Sequence, residues 1–233
     1  MILLVDADSL VFASCYKPRD EEGSFYKNLE DVIFKFDETF QKIVNDLADQ
    51  YNVNEVIVFN DGVGNFRKLI TKKYKANRKS QEKPPLLQEI HNHVKKTYNS
   101  LSAVGMETDD LVAIYWKNLS GVWGRDQVMI VSIDKDYLQF PALVYRYHTK
   151  EVVSVTEVGA RHNFYVQCIV GDTSDNVNYF KGKGKKFAEH YYIDCETEYQ
   201  YKRKLYELFK EKYKSKAKEK YSECYNLLKL RTE

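Results

Sequence analysis

The chain has 233 residues, of which 43% are hydrophobic and 30% are charged, with a net charge of +2, and this balance excludes a largely disordered protein. No apolar run approaches the roughly 20 residues of a membrane span, and the chain starts with a strand pattern instead of a signal peptide, so we expect a cytoplasmic protein. The 4 cysteines lie far apart without a C-x-x-C pair, which favours buried reduced thiols over zinc or disulfides.

Short apolar runs alternate with stretches of helical spacing along the first two thirds of the chain. This rhythm predicts an α/β fold with a largely parallel central sheet and helices on both faces. The predicted strands cover residues 1–5, 55–59, 127–133 and 143–147. The predicted helices include residues 29–47, a helix that starts at Thr108 as its N-cap, and helical spacing over 198–230.

Two segments break this rhythm. Residues 72–83 are rich in lysine and precede Pro84 and Pro85, which predicts a mobile loop or arch. After Val166 the pattern changes to a helix, a GDTSDN loop, a glycine-lysine hairpin at 181–186 and another helix to about 192. This order predicts a helix-hairpin-helix module.

Basic residues are concentrated in three blocks, at 67–96, 181–186 and 202–220, and the notable carboxylates lie between them. A basic surface around an acidic pocket suits a polyanion whose phosphates are screened from the carboxylates by metal ions. For most of 202–220, a solvated helix face is the simpler interpretation.

Carboxylates follow several predicted strands at the edge where an open parallel sheet places its sites. Magnesium prefers such oxygen ligands, and two ions about 3.5–4 Å apart can support phosphodiester hydrolysis. Each carboxylate could instead cap a helix or a turn. The candidates are Asp6 with Asp8, Asp61, Glu107, Asp109, Asp110, Asp134, Asp136, Asp172 and Asp175.

Six motifs occur in order over about residues 1–192: LLVDADSLVFAS, FNDGVGNFRKL, KYKANR, METDDLVA, VSIDKDYLQF and GDTSDNVNYFKGKGKKFA. Together they resemble the 5'-nuclease family of flap endonucleases, bacteriophage 5'-exonucleases and the 5'-nuclease domain of bacterial DNA polymerase I. The resemblance implies a PIN-like catalytic core at 1–165 with a helical arch at about 66–100. It also implies a helix-three-turn-helix DNA-binding module at 166–195 and a C-terminal helical tail packed on the core at 196–233.

The resemblance also implies ligands for two Mg²⁺ or Mn²⁺ ions, held directly or through water. The implied metal-binding residues are Asp6, Asp61, Glu107, Asp109, Asp110, Asp134, Asp136, Asp172 and Asp175. The first seven of these are implied to be catalytic, together with Lys75 and Arg78, which match the basic residues that engage the phosphate near the scissile bond.

Contacts with DNA are implied for the arch and for the hairpin. The matching residues are Arg67, Tyr74, Lys75 and Arg78 in the arch, and Lys181, Gly182, Lys183, Gly184, Lys185 and Lys186 in the hairpin. The family hairpin also binds K⁺, but Tyr179 and Lys183 stand where the family usually has glycine and an apolar residue, which argues against that ion here.

The function implied is a stand-alone, monomeric, structure-specific 5'-nuclease of replication or repair in a bacterial or phage-infected cell. It would act as a 5'-3' exonuclease or flap endonuclease on DNA with a 5' flap, nick or free 5' end, with RNA-DNA hybrids as a further candidate. Three alternatives stay open. The first is a haloacid-dehalogenase-like phosphatase that uses DADS, MIVS and GDTSD, and the second is a catalytically inactive branched-DNA-binding module. The third is a PIN-type ribonuclease, although such domains normally lack the hairpin.

Overall fold

The computed structural model describes residues 1–17, 24–80 and 82–233. Within these residues, five strands form one sheet in the order β2-β1-β3-β4-β5. The pairs β1-β2, β1-β3 and β3-β4 are parallel, and only β5 runs antiparallel to its neighbour. The strands are β1 (Ile2–Asp6), β2 (Glu55–Phe59), β3 (Val128–Val131), β4 (Leu143–Arg146) and β5 (Glu151–Ser154). The predicted largely parallel sheet is confirmed, whereas the hairpin strand β5 was not predicted.

Helices cover both faces of the sheet, which explains why its strands are continuous apolar runs. Leu3 and Val5 point into one apolar cluster with helices α1, α2 and α4, while Leu4 and Ile130 point into another with α5. The helices in chain order are α1 (Asp8–Ser14), α2 (Leu29–Ala48), α3 (Arg67–Ile70), α4 (Leu87–Thr97), α5 (Thr108–Trp123), α6 (Glu157–Val170), α7 (Lys185–Tyr191), α8 (Glu198–Tyr213) and α9 (Ala217–Leu228).

Helix α2 begins where the sequence predicts it, because the Asn28 side chain accepts a hydrogen bond from the Glu30 N–H (3.1 Å). The N-cap predicted for α5 is wrong by one residue. Glu107 is the N-cap, and its own N–H donates to Asp110 Oδ2 (3.2 Å). Thr108 is buried, and its hydroxyl has no hydrogen-bond partner within the described part of the chain.

The segment expected to form the arch divides into two parts. Residues 67–80 hold the short helix α3 and a 3₁₀ helix at Ala76–Ser80. Helix α4 instead packs Ile90 and Val94 into the sheet-face cluster, and both side chains are fully buried. Residues 87–97 are therefore part of the core rather than of a free arch.

Helices α6 to α9 enclose an apolar cluster of their own. Helix α6 is continuous across the boundary expected at 165/166, and α8 and α9 pack on it and on each other. All four cysteines are buried and free, as the sequence predicted. Among the described residues, no helix is both long and apolar enough to span a bilayer.

Candidate metal centre and nucleic-acid interface

Three carboxylates converge where β3 ends and α5 begins. Asp109, Asp134 and Asp136 each offer an oxygen, and these oxygens lie within 4.8 Å of one another. A tight turn aims two of them, because Asp134 caps the 3₁₀ helix Lys135–Gln139 and its Oδ1 accepts the Asp136 N–H (2.9 Å). Asp109 comes from the first turn of α5. The arrangement brings together acids that are about 25 residues apart in the sequence.

Asp6 ends β1 at the same edge and is buried. The Tyr137 hydroxyl donates to Asp6 Oδ2 (2.8 Å), and the Ser132 hydroxyl lies 3.3 Å from the same oxygen. Burial, followed by the nearby charges of Asp8 and Asp134, raises the pKa of Asp6 to about 7. Sequence reasoning missed Tyr137 and considered Ser132 only as the hydroxyl residue of a phosphatase, although both stand within the VSIDKDY motif.

The pKa values of the three converging carboxyl groups are raised, because nearby positive charges do not offset their desolvation and mutual repulsion. Burial and the neighbouring charge of Asp134 raise the pKa of Asp136 to about 7. Partial desolvation by the surrounding protein raises the pKa of Asp134, whose side chain stays exposed. Burial with Glu107 and Asp110 nearby raises the pKa of Asp109 well above its usual range. Carboxylates that resist ionisation in this way are a natural site for a cation.

Glu107 lies beside this group and is neutralised by the chain itself. Burial alone would raise its pKa, but the Lys75 ammonium, which contacts Glu107 Oε1, brings the pKa below its usual value. The Tyr74 hydroxyl lies 2.6 Å from Glu107 Oε2 and 2.7 Å from Asp175 Oδ2, so its one proton serves both carboxylates. The basic segment thus closes one side of the acidic site.

The GDTSDN loop lies next to this basic segment and also borders the acidic site. Asp172 Oδ1 accepts the N–H groups of Ser174 (2.8 Å) and Asp175 (3.2 Å), and Lys135 lies 2.9 Å from Oδ2. Burial would raise the pKa of Asp172, but the Ser174 hydroxyl and Lys135 hold it below its usual value. Gly171 has φ +79, and a Cβ there would lie 2.2 Å from the Val177 carbonyl oxygen, so this position requires glycine.

The KYKANR segment lies directly on that loop. The Lys75 N–H donates to the Asp175 carbonyl (2.9 Å), and Arg78 Nη2 lies 2.9 Å from Asp175 Oδ1. The Lys75 ammonium is 3.5 Å from the same carboxylate oxygen. Burial would lower the pKa of Lys75, but Glu107 and Asp175 raise it, so the side chain is a firmly held cation. Lys75 and Arg78 therefore lie beside the acidic residues Glu107 and Asp175.

Arg67 and Asp110 depart from the sequence expectation. Both are fully buried, and they form a bidentate ion pair at 2.5 and 2.8 Å. Asp110 Oδ1 also accepts the Arg231 N–H (2.9 Å), and Oδ2 accepts the Glu107 N–H (3.2 Å). Asp110 has no free oxygen for a metal ion, and Arg67 cannot reach DNA in this conformation. Tyr74 is buried too and faces the acids.

Asp61 lies at the same sheet edge but outside the converging group. Its N–H donates to Asp8 Oδ1 (2.8 Å), and its φ of 52 places it in the left-handed region that aspartate tolerates. Its own carboxylate makes no hydrogen bond or ion pair with any residue that the structure describes. The Asp61 side chain is half-exposed, and its carboxylate is therefore accessible from solvent.

The glycine-lysine hairpin connects to α7 at Gly184. Lys181, Lys185 and Lys186 are exposed, and Lys185 makes only a loose contact with Glu189 (3.6 Å). Lys183 differs, because its ammonium lies 3.7 Å above the Phe187 ring. Gly182 has φ +87 with open space around its Cα, so the turn exposes backbone as well as side chains.

The first 164 residues match the family model of the 5'-3' exonuclease N-terminal resolvase-like domain, which covers most of the chain. The chain belongs to the 5'-3' exonuclease family. It is 29% identical to a 5'-3' exonuclease of Mycoplasmopsis pulmonis over 206 residues, which is 81% of this chain and 64% of the relative. The chain therefore spans less than two thirds of the length of the Mycoplasmopsis pulmonis exonuclease.

Solved structures share the fold of this 5'-3' exonuclease family member. A bacteriophage T5 protein co-crystallised with metal ions is 19% identical, with a TM-score of 0.69 over 99% of this chain and 88% of that one. The T5 flap endonuclease in a pseudo-enzyme-product complex with DNA and metal ions is 16% identical, with a TM-score of 0.63 over 97% and 98%. The TM-scores establish a shared fold, which confirms the predicted fold class, and at this low identity they establish the fold alone.

Proposed function

We propose that the chain is a divalent-metal-dependent, structure-specific 5'-nuclease that hydrolyses phosphodiester bonds as a 5'-3' exonuclease or flap endonuclease. One observation carries the proposal: the carboxylates of Asp109, Asp134 and Asp136 converge beside the held cations Lys75 and Arg78. Membership of the 5'-3' exonuclease family supports it. The T5 flap endonuclease, which shares the fold, forms its complex with DNA and metal ions.

The donor set fits hard divalent cations. All the converging atoms are carboxylate oxygens, and raised pKa values show that a positive charge would stabilise them. Asp109, Asp134 and Asp136 would hold one Mg²⁺ or Mn²⁺, with a second near Asp6 or Asp175. Bound ions of this kind supply an activated water and neutralise charge on the leaving oxygen. Asp110 is left out of this proposed set because its oxygens are fully occupied.

The basic segment would orient the substrate phosphate. The Lys75 ammonium has three donors, so it can contact a phosphate while it keeps Glu107 as a partner. Arg78 is exposed, and its Nε and Nη2 bond to the Ser174 carbonyl (3.1 Å) and to Asp175 Oδ1 (2.9 Å), so its Nη1 would contact a phosphate. These two residues would place the scissile phosphate against the carboxylates and stabilise negative charge as it develops.

Duplex DNA would be held away from the acids by the hairpin. Exposed lysines and backbone N–H groups contact phosphates without reading base sequence, which suits recognition by structure. We propose 5' flaps, nicks and free 5' ends as substrates, with RNA-DNA hybrids as a further class. The Tyr179 carbonyl accepts hydrogen bonds from Lys212 (2.6 Å) and the Tyr213 hydroxyl (2.7 Å), so this oxygen has no free lone pair for K⁺.

The deciding experiment uses a 5'-labelled flap substrate with and without Mg²⁺, for the wild-type chain and Asp134→Asn. We expect cleavage by the wild type only with Mg²⁺, no cleavage by the variant, and equal DNA binding by both. Binding without cleavage by the wild type would favour an inactive binding module. A phosphatase would instead form an aspartyl-phosphate on Asp6, whose Oδ2 already accepts a hydrogen bond from Tyr137 and lies 3.3 Å from the Ser132 hydroxyl.

A further inference from the structure

A groove runs between α8 and α9, far along the chain from the acidic residues. It encloses about 580 Å³ and is lined by aromatic, basic and hydroxyl side chains, with no carboxylate among them. The lining residues are Lys202, Tyr206, Lys218, Tyr221, Ser222 and Tyr225. None of these residues falls within the 164 residues that match the family model.

We infer that this groove is a second nucleic-acid contact, which holds a single-stranded segment by stacking and by phosphate contacts. The choice of nucleic acid as the ligand rests on the proposed function, whereas the groove itself is argued from its own residues. Single strands are commonly bound by a cationic groove with aromatic rings on which bases stack, because every base has a π face. The α8-α9 groove has both components.

The aromatic side of the groove is a row of tyrosines. The Tyr206 and Tyr221 rings meet edge to face at 5.6 Å, and the Tyr221 and Tyr225 rings are nearly parallel at 6.3 Å. All three side chains are half-buried. None of their hydroxyls bonds to another residue in the described part of the chain, whereas the Tyr74, Tyr137 and Tyr165 hydroxyls all do. The row therefore presents rings and free hydroxyl donors to solvent.

The cationic side follows the helix spacing. Lys202, Tyr206 and Lys210 are four residues apart on α8, so they lie on one face over about 12 Å, the length of roughly three to four stacked nucleotides. The Lys210 ammonium lies 5.1 Å above the Tyr206 ring, and Lys218 on α9 makes no ion pair with any described residue. Lys202 makes only an exposed contact with Glu198 (3.4 Å). These charges are available to phosphates.

Charge favours a polyanion over a protein partner. Residues 198–233 carry eleven lysines and arginines against six glutamates, although the whole chain has a net charge of only +2. The remainder of the chain is therefore net negative, and without bound metal ions its carboxylates would repel a strand that approaches them. A cationic tail with an aromatic groove would attract that strand and keep it close. An apolar helix of a partner protein would find tyrosines and lysines here instead of aliphatic side chains.

The test measures binding of a fluorescein-labelled single-stranded oligothymidylate by anisotropy, with EDTA present so that nothing is cleaved. We expect Lys202→Glu with Lys218→Glu to lose at least about tenfold in affinity and to reduce the salt slope by about 1.4, for two contacts of about 0.7 each. Tyr206→Leu should lose about tenfold with an unchanged salt slope. The matched control is Lys42→Glu with Lys117→Glu, two exposed lysines on α2 and α5 with the same change in net charge.

Equal affinity of the groove variant and the control would overturn the inference and would leave the groove to a protein partner. Photocross-linking of a bromouridine-containing strand gives an independent reading: adducts on Tyr206, Tyr221 or Tyr225 support the groove, and adducts confined to residues 67–80 and 181–186 oppose it. A flap whose tail is too short to reach the groove tests the proposed nuclease activity alone. Failure of the wild type to cleave it would sink the proposed nuclease, while the anisotropy would still test the groove.

Discussion

The guanidinium of Arg67 and the carboxylate of Asp110 form a fully buried, bidentate ion pair at 2.5 and 2.8 Å. The same guanidinium donates to the carbonyls of Leu227 and Lys229, both at 3.0 Å. The pair therefore ties the start of α5, which carries Glu107 and Asp109, to the end of α9. Arg67 of the FRKL motif and Asp110 of the METDD motif thus position the acidic site, although the motifs implied a DNA contact and a metal ligand.

Arg67→Met should destabilise the protein by about 3–5 kcal/mol, because it leaves the Asp110 charge buried without its partner. Urea denaturation measures the loss. Arg125→Met is the matched control, since Arg125 pairs with Glu157 at 2.7 Å on the surface and should cost less than about 1 kcal/mol. Similar losses in the two variants would show that the buried pair has no special role.

Asp134→Asn should stabilise the metal-free protein, because it removes one charge from a group of mutually repelling carboxylates. The wild type should gain melting temperature when Mg²⁺ or Mn²⁺ is added, and the variant should gain much less. Thermal unfolding in EDTA and in a magnesium series measures both effects. Asp126→Asn, at an exposed position, serves as the control. An unchanged melting temperature of the wild type on addition of Mg²⁺ or Mn²⁺ would argue against the metal site.

The metal-free protein should lose stability as pH rises from about 4 to about 7. The pKa values of Asp6 and Asp136 are raised from 3.8 to about 7 by burial and by neighbouring acids. In this window the folded state binds more protons than the unfolded state, so the free energy of unfolding falls with pH. Denaturation in EDTA at a series of pH values checks the slope, and a rise over the same range would contradict it.

Lys75→Met should lower kcat by about a hundredfold or more while DNA affinity changes little, because the lost ammonium acts on charge that develops at the phosphate. Loss of the Glu107 partner should also raise the pKa of that carboxyl. Single-turnover cleavage with a parallel binding assay separates the two effects. Lys72→Met, an exposed neighbour, is the control. An equal fall in affinity and rate would instead assign Lys75 to binding.

Replacing Lys181, Lys185 and Lys186 together with glutamine should weaken duplex binding and flatten its dependence on salt, since phosphate contacts release counterions. The cleavage rate at saturating DNA should change little, because these side chains lie apart from the acids. Binding isotherms at several salt concentrations measure the slope. An unchanged slope would mean that the hairpin does not contact the DNA backbone.

The sequence by itself determined the order of most strands and helices and placed several carboxylates at one edge of the sheet. Apolar runs marked four strands, and the acids that follow β1 and β3 had to meet at one edge because parallel strands end on the same side. Lys75 and Arg78 of the KYKANR motif form ion pairs with Glu107 and Asp175. These features are local, since periodicity and the ends of strands can be identified from neighbouring residues.

Only the tertiary structure decided which polar groups are already satisfied. Asp110 and Arg67 look like a ligand and a DNA contact in their motifs, but partners 43 and 160 residues away occupy them. The same holds for the α8-α9 groove, whose tyrosines have the spacing of packing faces, but they line a groove together with Lys202 and Lys218. Whether a side-chain oxygen already accepts hydrogen bonds, and whether it is exposed, depends on residues far apart in the chain. A local sequence pattern therefore cannot predict either property.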